Sequence, residues 1–430
     1  MIEPGHRGVN PPLAIGVDVS SVNRVRGLAE RRPEFLTKYF SAEEAAYCRD
    51  RPERLAARWA AKEAVRKVFG GLGWRIPLYS RIAVVRRPGG APEVLVDGAP
   101  VEGLSISLTH DAGLGIAVAA LSPLGRRSGW LWGPLPADLE MPERTADGNK
   151  GTYGTVVLIA GSAEFPGAAI LSSLGALRGG AGKAKALVTG SGMVDGPAEL
   201  IRVPVSTEGP SLDAGAVRQA APALESAQAV VCGPGLGESE ATRALLDELF
   251  RLGNTSKWSL VLDADALNVI SRYADLRRMI PRGSVLTPHP LEAARLAGTD
   301  VAGIETDRTK SALDLAAQLR AIVVLKGSNT VVAQPDGTHW VDGHATAALA
   351  SGGTGDVLAG LIGAMVAQGL VPYQAARTAV FLHGEAGTRL GYLRGRAGIL
   401  ASEVADALVE TQEAVRRQQD STRATRAPAG

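Results

Sequence analysis

The sequence predicts an α/β protein: a C-terminal α/β sandwich on a parallel sheet, preceded by a small α+β domain. Three observations carry this expectation. The chain has 430 residues, too many for one core at roughly 150 per domain. From Thr155 onward, short apolar runs without polar alternation recur between helical stretches, the pattern of strands covered on both faces. Before Ser122, by contrast, four strand-like runs follow a single long helix.

In chain order, Leu13-Ala-Ile-Gly-Val-Asp-Val19 reads as a strand, and Ser20 or Ser21 can cap the helix after it. Residues 55–69 form the clearest helix, with Leu55, Trp59 and Phe69 apolar and Arg54, Arg58, Lys62 and Arg66 on a basic face. Ile82–Val85, Glu93–Val96, Leu104–Leu108 and Ile116–Ala120 read as strands. Residues 1–121 are thus one domain, and the irregular Pro/Gly-containing stretch 122–148 a linker. Val156–Ala160, Ala184–Val188, Ala229–Cys232, Leu260–Leu262 and Ile322–Leu325 supply parallel strands of a second domain, 149–412. The polar tail 413–430 is expected to be disordered.

Composition excludes several classes. No apolar run approaches the roughly 20 residues of a membrane helix, and no leader pattern opens the chain. Cys48 and Cys232 stand far apart and suit a reducing, cytoplasmic setting. The net charge of +2 gives no nucleic-acid signature. Residues 1–121 carry 17 basic against 13 acidic side chains, which suits an acidic partner about as well as a solvated surface.

Two groups of residues carry chemistry. In Ser351-Gly-Gly-Thr-Gly-Asp356, three glycines let backbone approach an anion, and the following helix aims free N–H groups at it. Asp356 then serves as a base, or only as a helix cap. Lys326-Gly-Ser-Asn-Thr330, Gly233-Pro-Gly-Leu-Gly237 and Thr287-Pro-His-Pro290 also follow strands, so four polar loops converge on one sheet edge. In the front half, Asp18 interrupts an apolar strand and Glu63 lies on the long helix; two such carboxylates can hold Mg2+, while Glu63 alone could simply pair with Lys67.

The block from about 135 to 410 resembles the ADP-dependent NAD(P)H-hydrate dehydratases, a branch of the ribokinase-like fold. The carrying motifs are Lys150-Gly-Thr-Tyr-Gly-Thr155, Gly161-Ser162, Pro166-Gly-Ala-Ala169, Gly233–Gly237, Leu286-Thr-Pro-His-Pro290, Lys326–Thr330 and Gly352–Leu358. The resemblance implies that Ala169, Gly235, His289 and Asp356 line NAD(P)H hydrate. It implies also that Lys326, Gly327, Ser328, Asn329, Thr330 and Gly355 hold ADP, with ATP as an alternative co-substrate. Leu291, and His344 in a Gly/Asn-rich stretch, depart from the family pattern.

Residues 13–121 resemble holo-acyl-carrier-protein synthase, a phosphopantetheinyl transferase, through Ile15-Gly-Val-Asp-Val19, Phe40-Ser-Ala-Glu-Glu44, Ala57-Arg-Trp-Ala-Ala-Lys-Glu-Ala64 and Ser105-Ile-Ser-Leu-Thr-His110. By that resemblance Asp18 and Glu63 bind Mg2+, Lys62 and Arg58 face the phosphates of coenzyme A, His110 lines the pocket, and Arg24 meets the acyl carrier protein. Asp111 departs from the pattern. A homo-oligomer, a trimer in that family, is implied. The expectation is therefore a bifunctional enzyme. The alternative is a vitamin or sugar kinase whose front half is a non-catalytic oligomerisation module.

Overall fold

The computed structural model describes residues 14–32, 34–71, 76–86, 90–101, 103–121, 131, 135–189, 196–209 and 211–426. The chain divides into two compact units, Met1–Trp130 and Leu131–Gly430.

In the first unit, strands Ala14–Ser21, Leu114–Leu121 and Leu104–Asp111 form an antiparallel sheet in that order. Helix Pro52–Gly71 lies on it because two glycines remove the side chains that would hold it off. A Cβ on Gly16 would sit 1.9 Å from the Ala64 carbonyl oxygen, and one on Gly115 2.4 Å from the Ala57 nitrogen. Gly16→Ala is expected to cost about 1–3 kcal/mol by overpacking, readable as a lower urea midpoint at unchanged slope. A second antiparallel sheet joins Ile82–Arg86, Pro92–Val96 and Ala99–Pro100.

Period-two alternation puts Gly16, Asp18 and Ser20 on the helix side of the first sheet. Ile15, Val17 and Val19 point the other way and are 56%, 48% and 51% exposed, beside Leu114 and Val118 on the neighbouring strand. The expected strand thus forms from Ala14, Leu13 lying outside the described residues, and these five apolar side chains are exposed on one face of the sheet.

The second unit is a nine-stranded sheet. Its order is His339–Val341, Val331–Ala333, Ile322–Leu325, Val285–Leu286, Ser259–Leu262, Ala229–Cys232, Thr155–Ile159, Lys183–Thr189, Ile201–Val205. Seven strands are parallel; the first two named form an antiparallel edge. The central strands lack polar alternation because helices cover both faces: Val156 and Leu158 enter one core, Val157 and Ile159 the other. Helix Thr354–Ala367 packs on Pro166–Arg178 at backbone contact, since a Cβ on Gly360 would lie 1.9 Å from the Ser172 carbonyl oxygen.

Two boundary expectations change. Of the linker 122–148, residues 122–130 and 132–134 lie outside the described set, but the remainder belongs to the second unit. Leu131 and Leu139 are buried in its core, Arg377 pairs with Asp138 at 2.9 Å, and Thr378 donates to the Glu140 carbonyl at 2.7 Å. The tail beginning at 413 continues helix Ala401–Arg426. Val404, Leu408, Thr411 and Val415, at helical spacing, are buried. That stripe anchors the polar turns that follow, and Gln419 donates to the Leu139 carbonyl at 2.7 Å.

Candidate functional sites

At the carboxyl end of the parallel strands, polar loops close around one lysine. Lys326, just past strand Ile322–Leu325, places Nζ 2.6 Å from Asp263 Oδ1 and 3.9 Å from Glu292 Oε2. Burial opposes its charge, but Asp263 and Glu292 outweigh that and raise its pKa. Asp263 follows strand Ser259–Leu262, and Thr287 Oγ1 donates to it at 2.7 Å. Asp265 accepts from the Gly237 N–H at 2.8 Å. Between these two acids, Ala264 adopts φ 49° and ψ −119°, a backbone strained for a residue with a Cβ.

The glycine loop leads into this cluster. Gly353 at φ 87° starts helix Thr354–Ala367, whose first turn carries Asp356. A Cβ on Gly355 would be 3.4 Å from Lys326 Nζ and 3.9 Å from Asp263 Oδ2, which puts the helix N-terminus against the lysine. Burial, and then the Asp263 charge, push the Asp356 carboxyl up to about 7, with Lys326 opposing. A carboxyl poised there can exchange a proton near neutrality, as a general base requires.

The remaining predicted residues converge on the same edge. Gly233, at φ 129°, passes so close that a Cβ would meet the Asp263 carbonyl oxygen at 1.9 Å. Gly235, at φ 64°, packs against Ala168 and Phe165, and the Gly161 N–H donates to the Pro234 carbonyl at 2.7 Å. Ala169 is buried in the first turns of Pro166–Arg178. Gly327, Ser328 and Asn329 are exposed, and Thr330 Oγ1 closes their turn on the Gly327 carbonyl at 2.9 Å.

His289 has a local duty as well. Its Nδ1 accepts the N–H groups of Leu291 and Glu292 at 3.1 and 3.3 Å, capping helix Pro290–Ala297. Burial and then Lys326 lower its pKa, so the ring is neutral with its proton on Nε2. Asp263, Asp265 and Glu292 stand at the centre of the cluster although the sequence reading assigned them no role. For Asp263 the available signal was an acid directly after the apolar run Leu260–Leu262.

In the first unit the predicted residues do not all meet. Asp18 Oδ1 is 2.9 Å from Lys67 Nζ, and Ser20 donates to Oδ2 at 3.2 Å. Glu63 accepts from the Tyr79 hydroxyl at 2.6 Å, whose pKa burial and Glu63 push up to about 12. Lys67 thus pairs with Asp18 rather than Glu63. Among the described residues no three acidic, His or Cys side chains could share a metal. Magnesium can be held by one or two protein carboxylates beside substrate phosphates, and Asp18 would have to exchange the Lys67 ammonium for the ion to serve as one.

His110 is the penultimate residue of strand Leu104–Asp111, exposed, in the row Ser20–Gly115–His110 on the face that bears Asp18. Asp111 caps the adjoining turn, accepting the Ala112 N–H at 2.9 Å. Arg24 is exposed on helix Val22–Arg31, capped by Ser21.

The basic face expected on the long helix is largely covered, with Arg54 and Arg66 half-buried. Arg58 and Lys62 are buried at 7% and 0% exposure. Lys62 Nζ donates to Glu44 Oε2 at 2.9 Å and also to the Tyr79 and Ile82 carbonyls; Glu44 Oε1 takes the Val84 N–H at 2.9 Å. Lys62 is therefore a buried tie between helix and sheet. Periodicity placed it away from Leu55 and Trp59, but a second layer containing Glu44 covers that side. The Arg58 guanidinium lies over the Tyr47 ring, 4.1 Å from its centroid.

A family model for NAD(P)H-hydrate dehydratase matches residues 156–410, and one for the 4'-phosphopantetheinyl transferase superfamily matches residues 14–119. The ADP-dependent (S)-NAD(P)H-hydrate dehydratase of Bacillus subtilis is 38% identical over 272 residues, covering 62% of this chain and 92% of that protein. The bifunctional NAD(P)H-hydrate repair enzyme of Moorella thermoacetica is 36% identical over 275 residues; the match covers 63% of this chain and 51% of that relative's length. The crystal structure of the Bacillus subtilis ADP/ATP-dependent NAD(P)H-hydrate dehydratase, co-crystallised with ATP/Mg2+, superposes at a TM-score of 0.56 with 34% identity. It covers 64% of this chain and 94% of that one. The dehydratase match spans more than half of the residues and coincides with the loops around Lys326 and Asp356, and the chain belongs to the NAD(P)H-hydrate dehydratase family.

Proposed function

We propose that the second unit restores (S)-NAD(P)H hydrate to NAD(P)H with ADP as co-substrate. The observation that carries this reading is Asp356, a carboxyl raised to about 7 in the first turn of a helix whose N-terminus abuts Lys326. The hydroxyl at C6 of the hydrated ring is a poor leaving group. Asp356 accepts its proton as the oxygen attacks the β-phosphorus of ADP, and the bond to the α-phosphate breaks to release AMP. Phosphate then departs with the C–O electrons, the C5 proton passes to the departing phosphate, and the ring double bond re-forms. Lys326 and the N–H groups at the Gly353 helix start steady the phosphate charge. Magnesium, when bound, supplies further neutralisation of that charge. The Lys326–Thr330 segment and Gly355 hold the adenine nucleotide, while Ala169, Gly235 and His289 line the hydrate.

The first unit, by the same reading, transfers 4'-phosphopantetheine from coenzyme A to a serine of acyl carrier protein, with Asp18 and Glu63 holding magnesium. Support comes from the superfamily match and from Asp18 and His110 on one sheet face. The exposed apolar side chains of Ile15, Val17 and Val19 support a homo-oligomer built through this unit. Two buried free cysteines, and no described helix long and apolar enough to cross a membrane, suit the cytoplasm.

Hydrated NADH with ADP should regain reduced-nicotinamide absorbance; no recovery with ADP or ATP would sink the repair reading. Apo-carrier protein with coenzyme A and Mg2+ should gain the phosphopantetheine mass. Glu63→Gln should stop that gain and leave hydrate repair intact. If several carriers keep their mass in the parent protein, the first unit is an oligomerisation module.

A further inference from the structure

The structure sets His344 between two carboxylates. Its Nδ1 is 2.8 Å from Asp342 Oδ1 and its Nε2 is 2.9 Å from Glu385 Oε2. A neutral imidazole has one N–H and can satisfy only one of these acceptors as a donor, so the ring is an imidazolium. Burial opposes the charge, but the two carboxylates raise the pKa to about 9. All three side chains are at most 8% exposed, and the Phe381 ring packs edge-on against the imidazole at 5.2 Å.

The clamp joins two elements. Glu385 belongs to helix Pro372–Arg394, where Gly384 makes room for the histidine: a Cβ there would sit 2.8 Å from its ring. On the other side, the backbone around His344 finishes the Lys326–Thr330 loop. The Asp342 N–H donates to the Thr330 carbonyl at 2.9 Å, and the Asn329 N–H reaches the His344 carbonyl at 3.4 Å. Asn329 is held there at φ 55°. The same helix supports the neighbouring loop, since His383, kept neutral by burial, lies with Nε2 3.0 Å from the Thr354 carbonyl oxygen.

We propose that His344 is a positioning residue for nucleotide binding: gripped by Asp342 and Glu385, it fixes the segment that shapes the Lys326–Thr330 loop against helix Pro372–Arg394. The proposal rests on the reading that this loop holds the adenine nucleotide. His344 touches no reacting atom in this scheme, so its loss loosens the nucleotide and spares the chemistry.

The test is steady-state kinetics of the full chain with ADP and hydrated NADH varied separately, calorimetric binding of Mg·ADP, and melting curves. His344→Ala is expected to raise the KM for ADP about tenfold, with kcat and the hydrate KM within about twofold. His344→Gln, which keeps one donor, should recover part of the loss. Adding Glu385→Gln to His344→Ala should cost little more, because the pair acts as one unit. If His344→Ala does not fold, Glu385→Gln by itself carries the same KM comparison. An unchanged KM for ADP in the folded variants overturns the clamp, and so does a parallel loss in kcat and both KM values. A parent protein that repairs hydrate without binding Mg·ADP overturns the nucleotide reading, and the clamp with it.

Discussion

Asp356→Asn is expected to slow hydrate dehydration by about 10³-fold with little change in either KM, within the 10²–10⁴ range of a positioned base. Two further measurements separate this from a folding defect. In the parent protein the rate should rise with pH through about 7, because only the ionised carboxylate can accept the proton; the residual rate of the variant should lack that rise. Stability should move the opposite way. A carboxyl with a raised folded pKa contributes stability that is complete below the 3.8 of an ordinary aspartate and is lost as pH rises through about 7. Asparagine carries no charge to bury. The variant is therefore expected to melt above the parent near pH 8 and to lose that margin as the pH falls toward 4. An inactive variant that also melts lower at every pH would assign Asp356 to structure.

Lys62→Met is expected to lower the stability of the first unit by about 3–5 kcal/mol, because it strands the Glu44 carboxylate in a buried site. Lys62 and Glu44 have side chains 0% and 1% exposed. The double variant Lys62→Met/Glu44→Gln should recover much of that loss, since removing both partners leaves no uncompensated charge. Urea unfolding of the isolated transition for the first unit reads this out. A direct phosphate contact predicts the reverse pattern: near-parental stability for Lys62→Met with a raised KM for coenzyme A.

Much of the architecture was legible because it rests on local patterns. The runs at Val156, Ala229 and Ile322 had to be doubly covered strands, since nothing in them faces water. Glycines at 233, 235 and 353 announced close backbone approaches, and each has positive φ. Asp356 could be singled out because a carboxylate one turn into a glycine-led helix has few purely structural uses. Asp18 stood out inside its apolar strand for the same reason.

The sequence by itself determined the parallel sheet, the order of its loops, and the residue types delivered to one edge, because period and turn chemistry act over a few residues. Only the tertiary structure decided which charges meet. It placed Asp263 on Lys326, Glu44 on Lys62 and Glu385 on His344 across separations of 63, 18 and 41 residues. It turned a basic helix face into a buried tie, and it carried a polar tail onward as helix from an apolar stripe. Burial and pairing depend on what packs opposite a residue, and no local pattern carries that information.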